Sequence, residues 1–162
     1  SAIFPFYQGG PLEHIIAGKA VCFKEAQDDS FKEYAKLVKS NTLTCRNTLL
    51  DLGAIVSGTE NHLFLLNTLD TYGITGKVAQ NKLEEIGITT NKNMIPGDIL
   101  SPRETSGLRI GFAAVTTRGC DNLAARIIAE LIHKYLKEEI SKEDALKEVK
   151  KLTSSWKLIE EI

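Results

Sequence analysis

The sequence has few of the residues that advertise special chemistry: three cysteines, three histidines, four prolines, one methionine and one tryptophan. Cys22, Cys45 and Cys120 are odd in number, widely spaced and without a C-x-x-C pair, which suits free thiols in a reducing compartment better than a disulfide framework. His14, His62 and His133 show no ligand spacing with one another or with the cysteines, so no metal site is expected. An excess of either charge is missing too. Lys and Arg number 20 against 21 Asp and Glu, for a net charge of -1. That balance argues against nonspecific nucleic-acid or membrane-surface binding, which needs a basic excess, and leaves room for one local anion site. No apolar run approaches the roughly 18 residues of a membrane span, and the N-terminus lacks the charged-then-apolar layout of a signal peptide. The expectation is a cytoplasmic protein with no nucleic-acid or membrane partner. No nucleophile elbow or triad order is present. Tyr72–Val78 imitates a phosphate loop but has the wrong glycine spacing, with Val78 in place of Ser or Thr.

What is present suffices for a globular fold. A chain of 162 residues, 43% of them hydrophobic, buries about 70% of its unfolded surface without a covalent staple. Residues 1–11 are aromatic, punctuated by Pro5, Gly9 and Gly10, and non-periodic, so they read as irregular or extended. From Pro11, taken as the first helical position, apolar residues recur at three and four: Leu12, Ile15, Ile16, Ala20 and Phe23. Asp28-Asp29-Ser30 interrupts this helix, and Ser30 with Glu33 forms a capping-box pattern for the next, which runs to a stop at Gly53. The break sets the expected division: 1–27 and 28–162. Further on, strands are expected at 54–57, 62–66, 88–90 and 108–112, with helices at 75–86, 121–136 and 143–159. Residues 91–106 read as a long polar loop, a length that is usually functional or disordered. The sum is an α+β fold, a short sheet with packed helices.

Four segments could carry chemistry. In Gln8-Gly9-Gly10-Pro11, two glycines before a helix free backbone N–H groups for a phosphate, or simply make a sharp turn. In Gly107-Leu108-Arg109-Ile110-Gly111, strand alternation puts Arg109 on the glycine face, open to a bidentate carboxylate or to an ordinary salt bridge. Asn91-Lys92-Asn93 suits a polar heteroaromatic edge, or is a polar strand end. Thr116-Thr117-Arg118-Gly119 holds an anion or caps the helix that follows it.

Taken in order, these segments resemble one family. Gln8-Gly9-Gly10-Pro11-Leu12, His14-Ile15-Ile16-Ala17-Gly18-Lys19-Ala20-Val21, Asn61-His62-Leu63, Gly73-Ile74-Thr75-Gly76-Lys77, Asn91-Lys92-Asn93, Ser106-Gly107-Leu108-Arg109-Ile110-Gly111 and Thr116-Thr117-Arg118-Gly119 follow the pattern of serine hydroxymethyltransferase in register. The resemblance implies the carboxy-terminal portion of a pyridoxal-phosphate enzyme of the aspartate-aminotransferase-like (fold type I) class. Residues 1–27 would be the tail of its large domain and 28–162 its small domain. The full enzyme, a homodimer or tetramer, moves the hydroxymethyl carbon of serine to tetrahydrofolate and leaves glycine. By the same resemblance Arg109 would hold the substrate carboxylate. Gly9 and Gly10 would serve the cofactor phosphate across a subunit interface, Asn93 would lie beside the folate pteridine, and Arg118 would support the site.

The departures are specific. Nothing here matches the Thr-rich segment ending in His-Lys that carries the Schiff-base lysine, so no catalytic residue is assigned and the isolated chain is expected to be inactive. Phe6 and Tyr7 stand where the family usually has Gly after Phe-Pro, and Phe112-Ala113 where it has Thr-Pro. Ser1, not Met, opens the chain inside the family pattern, which predicts a piece of a larger protein. The alternative expectation is a stand-alone, non-catalytic binding or interaction module.

Overall fold

The computed structural model describes residues 1–157. The chain forms two compact units, Ser1–Ala35 and Lys36–Ile162. In the first, residues 2–7 turn and α1 spans Glu13–Glu25 with no buried residue. Its N-cap is Leu12, without a side-chain cap, so Pro11 precedes the helix instead of opening it. The next helix, α2, spans Asp29–Asp51. The expected cap Ser30 lies inside it, because Asp28 takes that role: its Oδ1 accepts the Ser30 N–H at 2.8 Å. A carboxylate bonded to free N–H groups at a positive helix end is the stronger cap.

In the second unit α2 buries Val38, Asn41, Thr42, Cys45 and Leu49, the three-and-four spacing of one helix face. It ends in a Schellman motif. Gly53 adopts a φ of 86°, its N–H donates to Leu50 O at 2.9 Å, and the Ala54 N–H donates to Leu49 O at 2.9 Å. Only glycine takes that φ cheaply.

Next come β1 (Leu63–Asn67), α3 (Thr68–Tyr72) and α4 (Gly76–Glu85). They are followed by β2 (Asn91–Asn93), β3 (Gly107–Gly111), α5 (Ala113–Thr117), α6 (Asn122–Leu136) and α7 (Lys142–Thr153). The strands form one antiparallel sheet in the order β1-β3-β2. The fold is therefore α+β with a small sheet and packed helices. Phe64 and Leu66 of β1, Leu108 and Ile110 of β3 and Phe112 fill the core with Leu83, Ile86, Ala129 and Ile132.

Several expectations move. Residues 54–57 make only an isolated bridge, Val56 to Leu66, and 88–90 is not a strand. The pairing falls on the polar run Asn91–Asn93, because that run meets the register of β3 and α4 receives it: Gln80 Oε1 accepts the Lys92 N–H at 2.8 Å. The polar loop thus starts at residue 94. Thr116 and Thr117 belong to α5, and the cap of α6 is Asp121, whose Oδ1 accepts the Ala124 N–H at 2.8 Å. The last helix stops at Thr153; the end expected at Ile159 lies outside the described residues. No helix among the described residues is long and apolar enough to cross a membrane.

Candidate functional site

The site grows from the alternation of β3. Leu108 and Ile110 point into the core, 0% and 5% exposed, so Arg109 between them points out. The register pairs Arg109 with Leu65 of β1 and with Asn91 of β2. Its strand is paired on both sides, which gives the side chain a rigid base. No hydrogen bond or ion pair among the described residues engages its guanidinium. Arg109 borders an opening of about 460 Å³ whose wall includes His62, Thr89, Asn91, Gly111 and Ala114.

The two glycines beside Arg109 play different parts. At Gly111 an added Cβ would lie 3.4 Å from His62 O and 3.6 Å from Leu63 Cβ, ordinary contacts, so packing does not demand glycine and its absence of side chain leaves the arginine uncovered. Gly107 is buried, and a Cβ there would meet Ile95 Cγ2 at 2.6 Å. The expectation of a surface stripped on both sides of Arg109 is thus corrected: Ile95 covers the Gly107 end.

Within Asn91–Asn93 the pairing sorts the three side chains. Asn91 and Asn93, opposite Arg109 and Gly107, lie on the arginine's face. Lys92 is engaged within the chain, its Nζ donating to Pro102 O at 2.8 Å. The Asn93 side-chain amide donates to Met94 O at 2.7 Å, which leaves its carbonyl oxygen for another partner.

Arg118 stands apart from this opening. Its Nε donates to Lys157 O at 3.1 Å, and its guanidinium carbon lies 5.9 Å from the centre of the Trp156 ring. It lines a second cavity of about 340 Å³ with Phe112, Ile128, Val149, Leu152 and Trp156. The two cavities share Thr89, Thr90, Gly111 and Ala114, and Thr90 Oγ1 is buried there without a partner among the described residues. Behind them lies a polar contact that sequence reading missed. The buried Asn41 side-chain amide donates to Thr116 Oγ1 at 3.0 Å and to Cys120 O at 2.8 Å, tying α2 to the turn after α5. A polar residue in the buried spacing of α2 was its one available signal.

Gly9 and Gly10 belong to the first unit and are exposed. An added Cβ at either would have nothing within 4 Å, and neither has the positive φ that favours glycine. Their N–H groups have no partner among the described residues. Because α1 begins at Glu13, Gly9 and Gly10 lie ahead of its positive end; their uncrowded N–H groups suit one edge of a phosphate-bearing cofactor as hydrogen-bond donors alone, without the helix dipole. The family model that matches the chain is serine hydroxymethyltransferase, over residues 1–132, a span that includes Gly9, Gly10, Asn93, Arg109 and Arg118. The chain belongs to that family.

Proposed function

We propose that this chain is the carboxy-terminal part of a pyridoxal-phosphate-dependent transferase that moves the hydroxymethyl carbon of serine to tetrahydrofolate, leaving glycine. The observation that carries the reading is Arg109, an arginine on the central strand with no partner among the described residues, beside an uncovered glycine. A guanidinium so placed takes an amino-acid carboxylate through two parallel N–H···O bonds, which sets the orientation of Cα as well as affinity. Asn93, on the same face, offers an amide oxygen to the pteridine edge of the folate. Gly9 and Gly10 would hold the cofactor phosphate with backbone N–H groups, in a neighbouring subunit of a dimer or tetramer. Arg118 stiffens the wall behind the site through Lys157 O and Trp156. When bound, pyridoxal phosphate supplies the electron sink that reaction at the amino-acid Cα needs.

On this reading the chain alone has no transferase activity, because the segment that would bear the Schiff-base lysine has no counterpart in it. Formation of methylenetetrahydrofolate by the isolated chain, given cofactor, serine and tetrahydrofolate, would overturn that part. In the full-length protein, Arg109→Lys is expected to raise the KM for serine by on the order of tenfold or more, since a point charge does not reproduce the planar fork. An unchanged serine KM would sink the clamp.

A further inference from the structure

Residues 91–106 were expected to be a long polar loop; beyond β2, one carboxylate organises residues 94–106. Asp98 Oδ2 accepts the N–H of Ile95 at 3.2 Å and of Ser106 at 2.9 Å. Its Oδ1 accepts the Leu100 N–H at 2.9 Å and the Ser106 hydroxyl at 2.7 Å. The Ser106 hydroxyl foremost, with those backbone donors, holds the Asp98 carboxyl at about 2, against the penalty of burial, so it is ionised at any neutral pH.

Each donor sits at a mechanically useful place. Ile95 is two residues past Asn93, and its side chain covers Gly107, the residue paired with Asn93. Ser106 immediately precedes β3, and its carbonyl accepts the N–H groups of Thr68 at 2.9 Å and Leu69 at 3.2 Å, which ties the same point to the start of α3. Asp98 therefore clamps the segment after β2 onto the foot of β3. Arg109 lies two residues further along β3, a strand paired along its whole length with β1, and needs no help from the clamp.

We propose that Asp98 is a positioning residue for the folate side of the site: it holds Ile95 and Ser106 together so that Asn93 presents a fixed amide, while the carboxylate side at Arg109 is fixed independently. This rests on the assignment of Asn93 to folate made above. The clamp's signature is a split between two substrates, which a general loss of stability does not produce.

The test uses the full-length holoenzyme. Asp98→Asn turns one acceptor into a donor, and in either orientation of the amide at least one of the bonded N–H groups loses its partner. The KM for tetrahydrofolate is expected to rise on the order of tenfold, the cost of losing hydrogen bonds to a charged group, with the serine KM unchanged. Amide exchange at Leu100 and Ser106 is expected to accelerate while β1–β3 amides stay protected. Ser106→Ala, which removes one bond and keeps the charge, is expected to shift the folate KM the same way by less, and it carries the test if Asp98→Asn does not fold. A parallel rise in both KM values, or no rise in either, overturns the proposal. Asn93→Ala separates the two ideas. A raised folate KM in Asn93→Ala with a flat one in Asp98→Asn overturns the Asp98 clamp alone. A flat folate KM in Asn93→Ala overturns the folate assignment itself, and the clamp's role with it.

Discussion

The chain holds two regions that use the same residue types in opposite ways. In residues 1–35 the large apolar side chains are on the surface: Phe6 is 84% exposed, Tyr7 92% and Phe23 65%. In residues 36–157 Phe64 and Phe112 are 1% exposed and sit in a shared core. Composition alone does not distinguish the two; periodicity with a partner does. The spacing in α1 is helical, yet no residue of that helix is buried, whereas α2, α4 and α6 each set a buried stripe against the sheet or one another. The first region thus carries apolar surface that its own folding does not use, and the second is stabilised from within.

The largest test of that contrast is a pair of truncations. Phe64→Ala is expected to destabilise the chain by about 3–5 kcal/mol, through lost transfer energy and a residual cavity. Phe6→Ala is expected to stay within about 0.5 kcal/mol, as for other exposed substitutions. Urea titration followed by the fluorescence of Trp156, the sole tryptophan, reads both. Equal losses would break the comparison, because they would mean that Phe6 is buried in the folded chain.

Glycine gives the next effect. An added Cβ at Gly76 would run into Gly107 O and Thr105 Oγ1, and the Gly76 N–H donates to Thr105 O at 2.8 Å. Gly76→Ala is expected to cost about 1–3 kcal/mol by overpacking against backbone that cannot yield. Gly10→Ala meets nothing and is expected to leave the midpoint within about 0.5 kcal/mol of wild type. If Gly10→Ala keeps this stability while weakening cofactor binding in the full-length protein, the contrast sharpens: glycine at 76 serves the fold, glycine at 10 a ligand.

Which parts were legible in the sequence follows from where the stabilising partners lie. Gly53 was readable as a helix stop because a left-handed residue is a local demand, and it adopts a φ of 86°. Arg109 was readable because alternation within five residues decides which way it points. The cap at Asp28 was misread for Ser30 because two adjacent candidates differ only in which one the turn leaves outside the helix. Helices α3 and α5 are five residues each, too short to show a period. The strand at Asn91–Asn93 is made by its neighbours, β3 and Gln80, and its own polar composition argues against it. Arg118 meets its partners Trp156 and Lys157 across a long stretch of chain. Asp98 was the hardest to see, since three of its donors are backbone N–H groups, which no side-chain pattern advertises.

The smallest expected effect is one of pH. His133 is 5% exposed, with Nδ1 3.0 Å from the Tyr72 hydroxyl, and burial first, then the nearby Lys137 charge, hold its pKa below the ordinary histidine value; Glu139 opposes this. A lowered folded-state pKa means that the unfolded chain binds the proton more readily. His133 therefore contributes stability that is fully present above about pH 6.5, the unfolded value, and that is lost as pH falls through the lower folded value. Asp98 behaves the same way in a lower window, with its contribution present above about pH 4 and lost as pH falls through about 2. The urea midpoint is expected to decline gently just below pH 6.5 and again toward pH 2. His133→Asn should remove the first decline and keep the second, and a first decline that persists in that variant would assign it to a group elsewhere in the chain. His133 owes its charge state to burial, whereas Asp98 in the second region and Asp28 in the first owe theirs to hydrogen bonds, from Ser106 and Ser30 foremost.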